Sequence, residues 1–157
     1  MSLKVGDMAP DFNLLNTNNE RVSLNSFKGK KVVVLFFPLA NTGVCTKEMC
    51  TFRDELKSYE DLDAQVLGIS VDSPFTLKLW AEKNNYTFPL LSDFNKEAAA
   101  SFDALYDIFA PGKLDFKGVA KRSAFVIDRE GKIKYVEVLE NAGDEPSYEG
   151  IQKALSD

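Results

Sequence analysis

The sequence predicts an α/β domain whose sheet is partly parallel and ends antiparallel. Three observations carry that expectation. "KKVVVLFF" and "AQVLGISV" are continuous apolar runs rich in β-branched residues, the pattern of strands buried on both faces. Each run is followed by residues at helical spacing. Near the end, "SAFVID" and "KIKYVEV" flank the tight turn "DREGK" and read as a hairpin.

The elements follow in order. "DFNLLNTNNERVSL" reads as two short strands around the polar turn "NTNNE", a hairpin ahead of the first buried strand. After "KKVVVLFF", residues Cys45, Met49, Phe52 and Leu56 recur at helical spacing, which predicts a helix over about 44–59. "AQVLGISV" gives way to "DSPFTLKLWAEKNN", a helix with Asp72 or Ser73 as its cap and Pro74 in its first turn. "TFPLLSD" is a short extended piece, and a helix over about 95–102 follows it. The Gly/Pro-containing loop "APGKLDFKGVA" leads into the hairpin, and "PSYEGIQKAL" forms a closing helix capped by Ser147.

At 157 residues, with no repeat or linker, the chain is expected to be one domain over 1–157. The formal net charge of -5 argues against nucleic acid or an anionic membrane as partner, because phosphate binding needs a basic face. Lys28, Lys30 and Lys31 form the only compact basic cluster, read as a solvated loop before a strand. The first residues have no apolar core of signal-peptide length. The longest apolar run, 32–40, is far shorter than the roughly 20 residues a membrane helix needs. Two cysteines without an export signal therefore point to a reducing cytoplasm, where a disulfide is transient. The absence of histidine removes Ser–His and Cys–His nucleophile pairs, and two cysteines alone cannot complete an ordinary tetrahedral zinc site. Dinucleotide and phosphate-loop glycine patterns are also missing, so neither a metal nor a nucleotide cofactor is expected.

Both cysteines lie in "FFPLANTGVCTKEMC", residues 36–50. The spacing places Cys45 in the first turn of a helix that follows a central strand, where open α/β sheets bind ligands. A helix N-terminus offers free N–H groups and positive partial charge, which favour thiolate over thiol. Full ionisation of an ordinary cysteine gains only roughly 30-fold near neutrality. Enzymes commonly supply about a million-fold, so charge developing on a leaving atom must also be stabilised. Thr42, three residues before Cys45, offers a hydroxyl to the same small substrate. Taken singly, a buried cysteine is a packing residue, a threonine before a helix is a cap, and Pro38 is strand punctuation. Their combination on one strand-to-helix turn points to a site.

"PLANTGVC" matches P-x-x-x-T-x-x-C, and on it the chain resembles the peroxiredoxins, antioxidant thiol peroxidases on a thioredoxin fold with extensions. The resemblance continues through "LGISVDSP", "YTFPLLSDF" and "KRSAFVIDREGKI" and covers nearly the whole chain. It is strongest toward the alkyl hydroperoxide reductase E type, while "CTKEMCTFRD" is similar to the bacterioferritin-comigratory, or Q-type, branch. It implies a central mixed sheet flanked by helices, with an N-terminal β-hairpin extension. It implies that Cys45 is the peroxidatic cysteine, attacking the distal oxygen of hydrogen peroxide or an organic hydroperoxide to give a sulfenic acid. Thr42 would bond the peroxide, Pro38 would shield the pocket, and Arg122 would stabilise the thiolate and polarise the O–O bond. Glu48 matches a position that orients this arginine, though a first-turn carboxylate also suits a helix dipole. Cys50 is either the resolving cysteine of the Q-type pattern or a packing residue, since the E type lacks it.

A thioredoxin-like, glutaredoxin-like or low-molecular-weight thiol would serve as reductant, and a homodimer packed near the active-site loops is implied. Lys121 is expected to face solvent, Trp80 and Tyr86 to be core or subunit contacts, and "ENAGDEP" to be a surface loop. The competing readings are a thioredoxin-fold disulfide oxidoreductase, disfavoured by Cys-x-x-x-x-Cys spacing, and a non-catalytic chaperone or redox-signalling protein that retains the fold.

Overall fold

The computed structural model describes residues 3–156; Met1, Ser2 and Asp157, which belong to the expected domain and the N-terminal stretch read above, lie outside the described residues. The strands are β1 (Asn13–Asn16), β2 (Arg21–Ser23), β3 (Lys31–Phe36), β4 (Ala64–Ser70), β5 (Leu90–Ser92), β6 (Ser123–Ile127) and β7 (Ile133–Val138). The α-helices are α1 (Gly43–Asp54), α2 (Leu56–Asp61), α3 (Pro74–Asn84), α4 (Glu97–Ser101) and α5 (Tyr148–Ser156).

The strands form one mixed sheet in the order β2-β1-β5-β4-β3-β6-β7. β3–β4 and β4–β5 pair in parallel, while β6 and β7 close the sheet antiparallel and β1–β2 form the N-terminal hairpin against β5. This is the expected mixed α/β arrangement. Along β3, Val33 and Leu35 face the cluster that contains Cys45, Met49, Phe52, Leu77 and Trp80. Val32, Val34 and Phe36 face the other cluster, with Leu24, Phe102 and Phe125. The period-two alternation of a strand buries both faces of an unbroken apolar run. On β4, a Cβ at Gly68 would lie 2.8 Å from Leu90 and 3.4 Å from the Met49 sulfur. The missing side chain thus lets α1 seat close on the sheet.

Two helix boundaries differ from the sequence reading. The helix expected over 44–59 breaks at Glu55, whose φ of -104° and ψ of 11° end α1 and start α2. The break still buries Phe52 and Tyr59 together, their rings 5.1 Å apart. The helix expected over 95–102 shortens to α4 because Lys96 takes a left-handed φ of 63°. Asp93 then caps α4 by accepting from the amides of Ala98 and Ala99 at 3.0 and 2.8 Å. Ser73, not Asp72, caps α3, accepting from the Thr76 amide at 3.2 Å with Pro74 following it. Ser147 caps α5 as expected, accepting from the Gly150 amide at 3.0 Å. Among the described residues, no helix is long and apolar enough to cross a membrane.

Candidate active site

The last ladder contact of the first parallel pair is donated by Phe37, whose amide lies 3.0 Å from the Ile69 carbonyl. Pro38 has no N–H to continue it, so the chain leaves the sheet there. Asn41 then adopts a left-handed φ of 64°, and Thr42 takes extended geometry at the N-cap of α1. Its hydroxyl does not cap the helix. It donates instead to the Leu39 carbonyl at 2.7 Å, which closes the loop on itself and leaves the oxygen's lone pairs free to accept. Cys45 follows inside the first turn, 1% exposed, and Pro38 is buried.

The antiparallel register of β3 with β6 pairs Phe36 with Ser123. That pairing places Arg122, just before β6, at the strand end from which the cysteine loop departs. Its Nη2 donates to the Cys45 sulfur at 3.3 Å and its Nη1 to Glu48 Oε1 at 2.7 Å. Glu48 lies three residues after Cys45 and therefore shares its helix face. Arg122 is 2% exposed and Glu48 is fully buried, so little solvent screens the three groups. The structure brings Cys45, Arg122 and Glu48 into one contact chain, with Thr42 and Pro38 on the adjoining loop.

Both partners of this buried pair are shifted upward, which disfavours the charge of Glu48 and favours that of Arg122. Glu48 is pushed up to about 7, because burial penalises its charge more than Arg122 relieves it. Its Oε2 has no hydrogen-bond partner. Burial also opposes the charge of Arg122, but Cys45 and Glu48 together outweigh it and hold the guanidinium above its ordinary value. The difference follows from the partners: Arg122 faces two acidic groups and a carbonyl, whereas Glu48 has one oxygen satisfied.

That carbonyl is Ala142 O, which accepts from Arg122 Nε at 3.3 Å and Nη2 at 3.0 Å. Ala142 lies in "ENAGDEP", so this stretch is more than the surface loop expected of it. Glu145 of the same stretch pairs with Lys47 on α1 at 3.0 Å and is held below the usual carboxylate range, chiefly by the Tyr148 hydroxyl. A backbone acceptor leaves no side-chain signal, so only the folded chain reveals Ala142. Lys121, expected to face solvent, is instead half-buried and pairs with Glu140 at 2.8 Å.

Cys50 is half-buried, its sulfur 3.4 Å from the Tyr86 hydroxyl. Tyr86 also donates to the Thr46 carbonyl at 3.3 Å, and Trp80 Nε1 donates to the Thr46 hydroxyl at 3.2 Å. Both rings belong to the core and tie α1 to α3 and to the turn after it. Cys45 and Cys50 are both free and share one intact helix. Among the described residues, no group of three or more Cys, Asp or Glu side chains is placed to hold a metal ion.

Comparison with known proteins agrees with this geometry. The model of the AhpC/TSA family matches residues 5–136. Alkyl hydroperoxide reductase E of Mycobacterium tuberculosis is 43% identical over 137 residues, 87% of this chain and 86% of that protein. Peroxiredoxin Bcp of Escherichia coli is 39% identical over 134 residues, 85% of each. Among solved structures, peroxidoxin BcpB from Mycobacterium tuberculosis superposes with a TM-score of 0.82 at 34% identity, covering 98% of this chain and 95% of that one. A peroxiredoxin-like protein from Aquifex aeolicus reaches a TM-score of 0.88 at 27% identity, covering 99% and 88%.

Proposed function

The chain belongs to the AhpC/TSA family and is a thiol-dependent peroxidase, and from that premise we propose that Cys45 is its peroxidatic thiol. The observation that carries this assignment is the Arg122 guanidinium 3.3 Å from a buried Cys45 sulfur at a helix start.

The Cys45 thiolate attacks the distal oxygen of hydrogen peroxide or an organic hydroperoxide. An S–O bond forms, the O–O bond breaks, and the sulfur is oxidised to a sulfenic acid. The leaving oxygen takes a proton and departs as water or alcohol. Arg122 supplies fixed cationic donors where that oxygen gains charge, and they need no rearrangement during the reaction. Thr42 Oγ1, with its own proton committed to Leu39, accepts from the O–H of the substrate. Pro38 walls the pocket from water, and Glu48 holds Arg122 by its Oε1.

Recycling draws on a thiol. Cys50 is the resolving residue in this reading, condensing with the sulfenic acid to a disulfide that a thioredoxin-like, glutaredoxin-like or low-molecular-weight thiol then reduces. Residues five apart on a helix differ by about 7.5 Å along the axis and about 140° around it, so the start of α1 must unwind for that bond to form. Two free cysteines suit a cytoplasmic location. Exposed Ile108, Leu114 and Phe116, in the loop leading to Arg122, suit a homodimer packed near the site. Cys45→Ser should abolish peroxide consumption supported by a generic dithiol while the fold persists. Turnover at the wild-type rate in that variant refutes the assignment.

A further inference from the structure

We propose that Asp72 is a positioning residue for the peroxidatic loop, its carboxylate fixing residues 38–42 so that Pro38 and Thr42 meet the peroxide beside Cys45. The inference rests on the peroxidase reading above. Pro38 ends the β3–β4 ladder, and two residues further on the Ala40 amide donates outside any strand pairing. Asp72 Oδ2 accepts from it at 2.8 Å, across 32 residues of sequence. A carboxylate thereby anchors the loop two residues beyond the proline through a charge-assisted bond.

The carboxylate is itself held from two strands. Ser70, the last residue of β4, donates its hydroxyl to the same Oδ2 at 2.6 Å and accepts from the Asp72 amide at 3.2 Å. Ser92, the last residue of β5, donates to the Asp72 carbonyl at 2.6 Å. The ends of two central strands thus set where Ala40 lies. Leu39, the residue before it, accepts from the Thr42 hydroxyl at 2.7 Å. The chain of contacts runs from β5 through Asp72 to the hydroxyl that receives the substrate. Ser73 already caps α3, so helix capping does not account for the carboxylate.

The test compares two electrophiles on the reduced protein at one pH. Hydrogen peroxide needs the loop, whereas iodoacetamide needs only the Cys45 thiolate. Asp72→Ala should slow the peroxide reaction by ten- to a hundredfold, on the order of the loss expected from displacing a substrate-holding group by about 1 Å. Alkylation of Cys45 should hold or rise. Asp72→Asn, whose amide oxygen can still accept from Ala40 and Ser70, should recover the peroxide rate to within about threefold of wild type. A peroxide rate for Asp72→Ala within about threefold of wild type overturns the proposal, as does an equal fall in both reactions or an Asn variant as slow as the Ala variant. Should Asp72→Ala fail to fold, Ser70→Ala carries the test. A several-fold loss confined to peroxide supports the proposal, and an unchanged peroxide rate overturns it. Wild-type protein that left peroxide intact would sink the peroxidase reading itself. A working peroxidase indifferent to Asp72 sinks only this inference.

Discussion

Replacing Glu48 with glutamine should flatten the dependence of stability on pH between about 4.5 and 7. Glu48 titrates at 4.5 in an ordinary environment and is pushed up to about 7 in the fold, first by burial and against the pull of Arg122. Between those values the folded protein holds a proton that the unfolded chain has released. Stability is therefore fully present below about pH 4.5 and is lost as pH rises through about 7. Each pH unit of that gap is worth about 1.4 kcal/mol, so Glu48 should withdraw about 3 kcal/mol across the window. Against a total of roughly 5–15 kcal/mol for a typical domain, that loss is easily measured. Glutamine keeps an oxygen for the Arg122 Nη1 donor, now 2.7 Å from Glu48 Oε1, and carries no charge to bury. Urea unfolding of reduced wild type and Glu48→Gln at pH 5, 6, 7 and 8 reads the difference directly. The wild-type midpoint should fall over this range relative to the variant, with equal m-values. Parallel curves would refute the argument, because they would mean that the buried carboxylate stays ionised throughout and that its orphaned Oε2 costs nothing that pH can relieve.

Arg122→Met should leave a thiol that still reacts with peroxide but roughly a hundredfold or more slowly, measured by stopped flow. If ionisation of Cys45, followed by thiolate absorbance, accounted for the whole loss, Arg122 would act only on the thiol and not on the leaving oxygen. Thr42→Val should cost a comparable factor, while Thr42→Ser should stay near wild type because the acceptor oxygen remains; equal losses in the two variants contradict the role given to the hydroxyl. After one equivalent of peroxide, mass spectrometry should show a loss of two hydrogens, with Cys45 and Cys50 joined in the peptide map. A persistent sulfenic acid on Cys45 with Cys50 still free rules the resolving role out.

The strand-to-helix turn was legible because its chemistry is local. Pro38, Thr42 and Cys45 lie within eight consecutive residues, and residue type alone dictates that proline leaves the ladder and that a helix follows. The unbroken apolar run in "KKVVVLFF" likewise reports burial on both faces without knowledge of any neighbour. The resemblance supplied Arg122, which no local pattern marks, since it stands 77 residues from the sulfur it touches. What put it there is the register of β3 with β6, a property of pairing that no single segment contains. The break of the first long helix at Glu55 and the left-handed Lys96 were hidden for a similar reason, because tertiary packing overrides helical periodicity at element ends. Ala142 contributes only a carbonyl, which every residue has, so its hold on Arg122 exists only once the loop closes over the site. Asp72 looked like a helix cap because its nearest chain neighbours suggest one. The strand ends turn its carboxylate instead toward the Ala40 amide, in the loop that leaves the sheet at Pro38. Sequence alone determined the candidate nucleophile and the turn that presents it. The tertiary fold decided which distant groups surround that turn, because hydrogen bonds and charge depend on distances in space, which strand register and loop closure set.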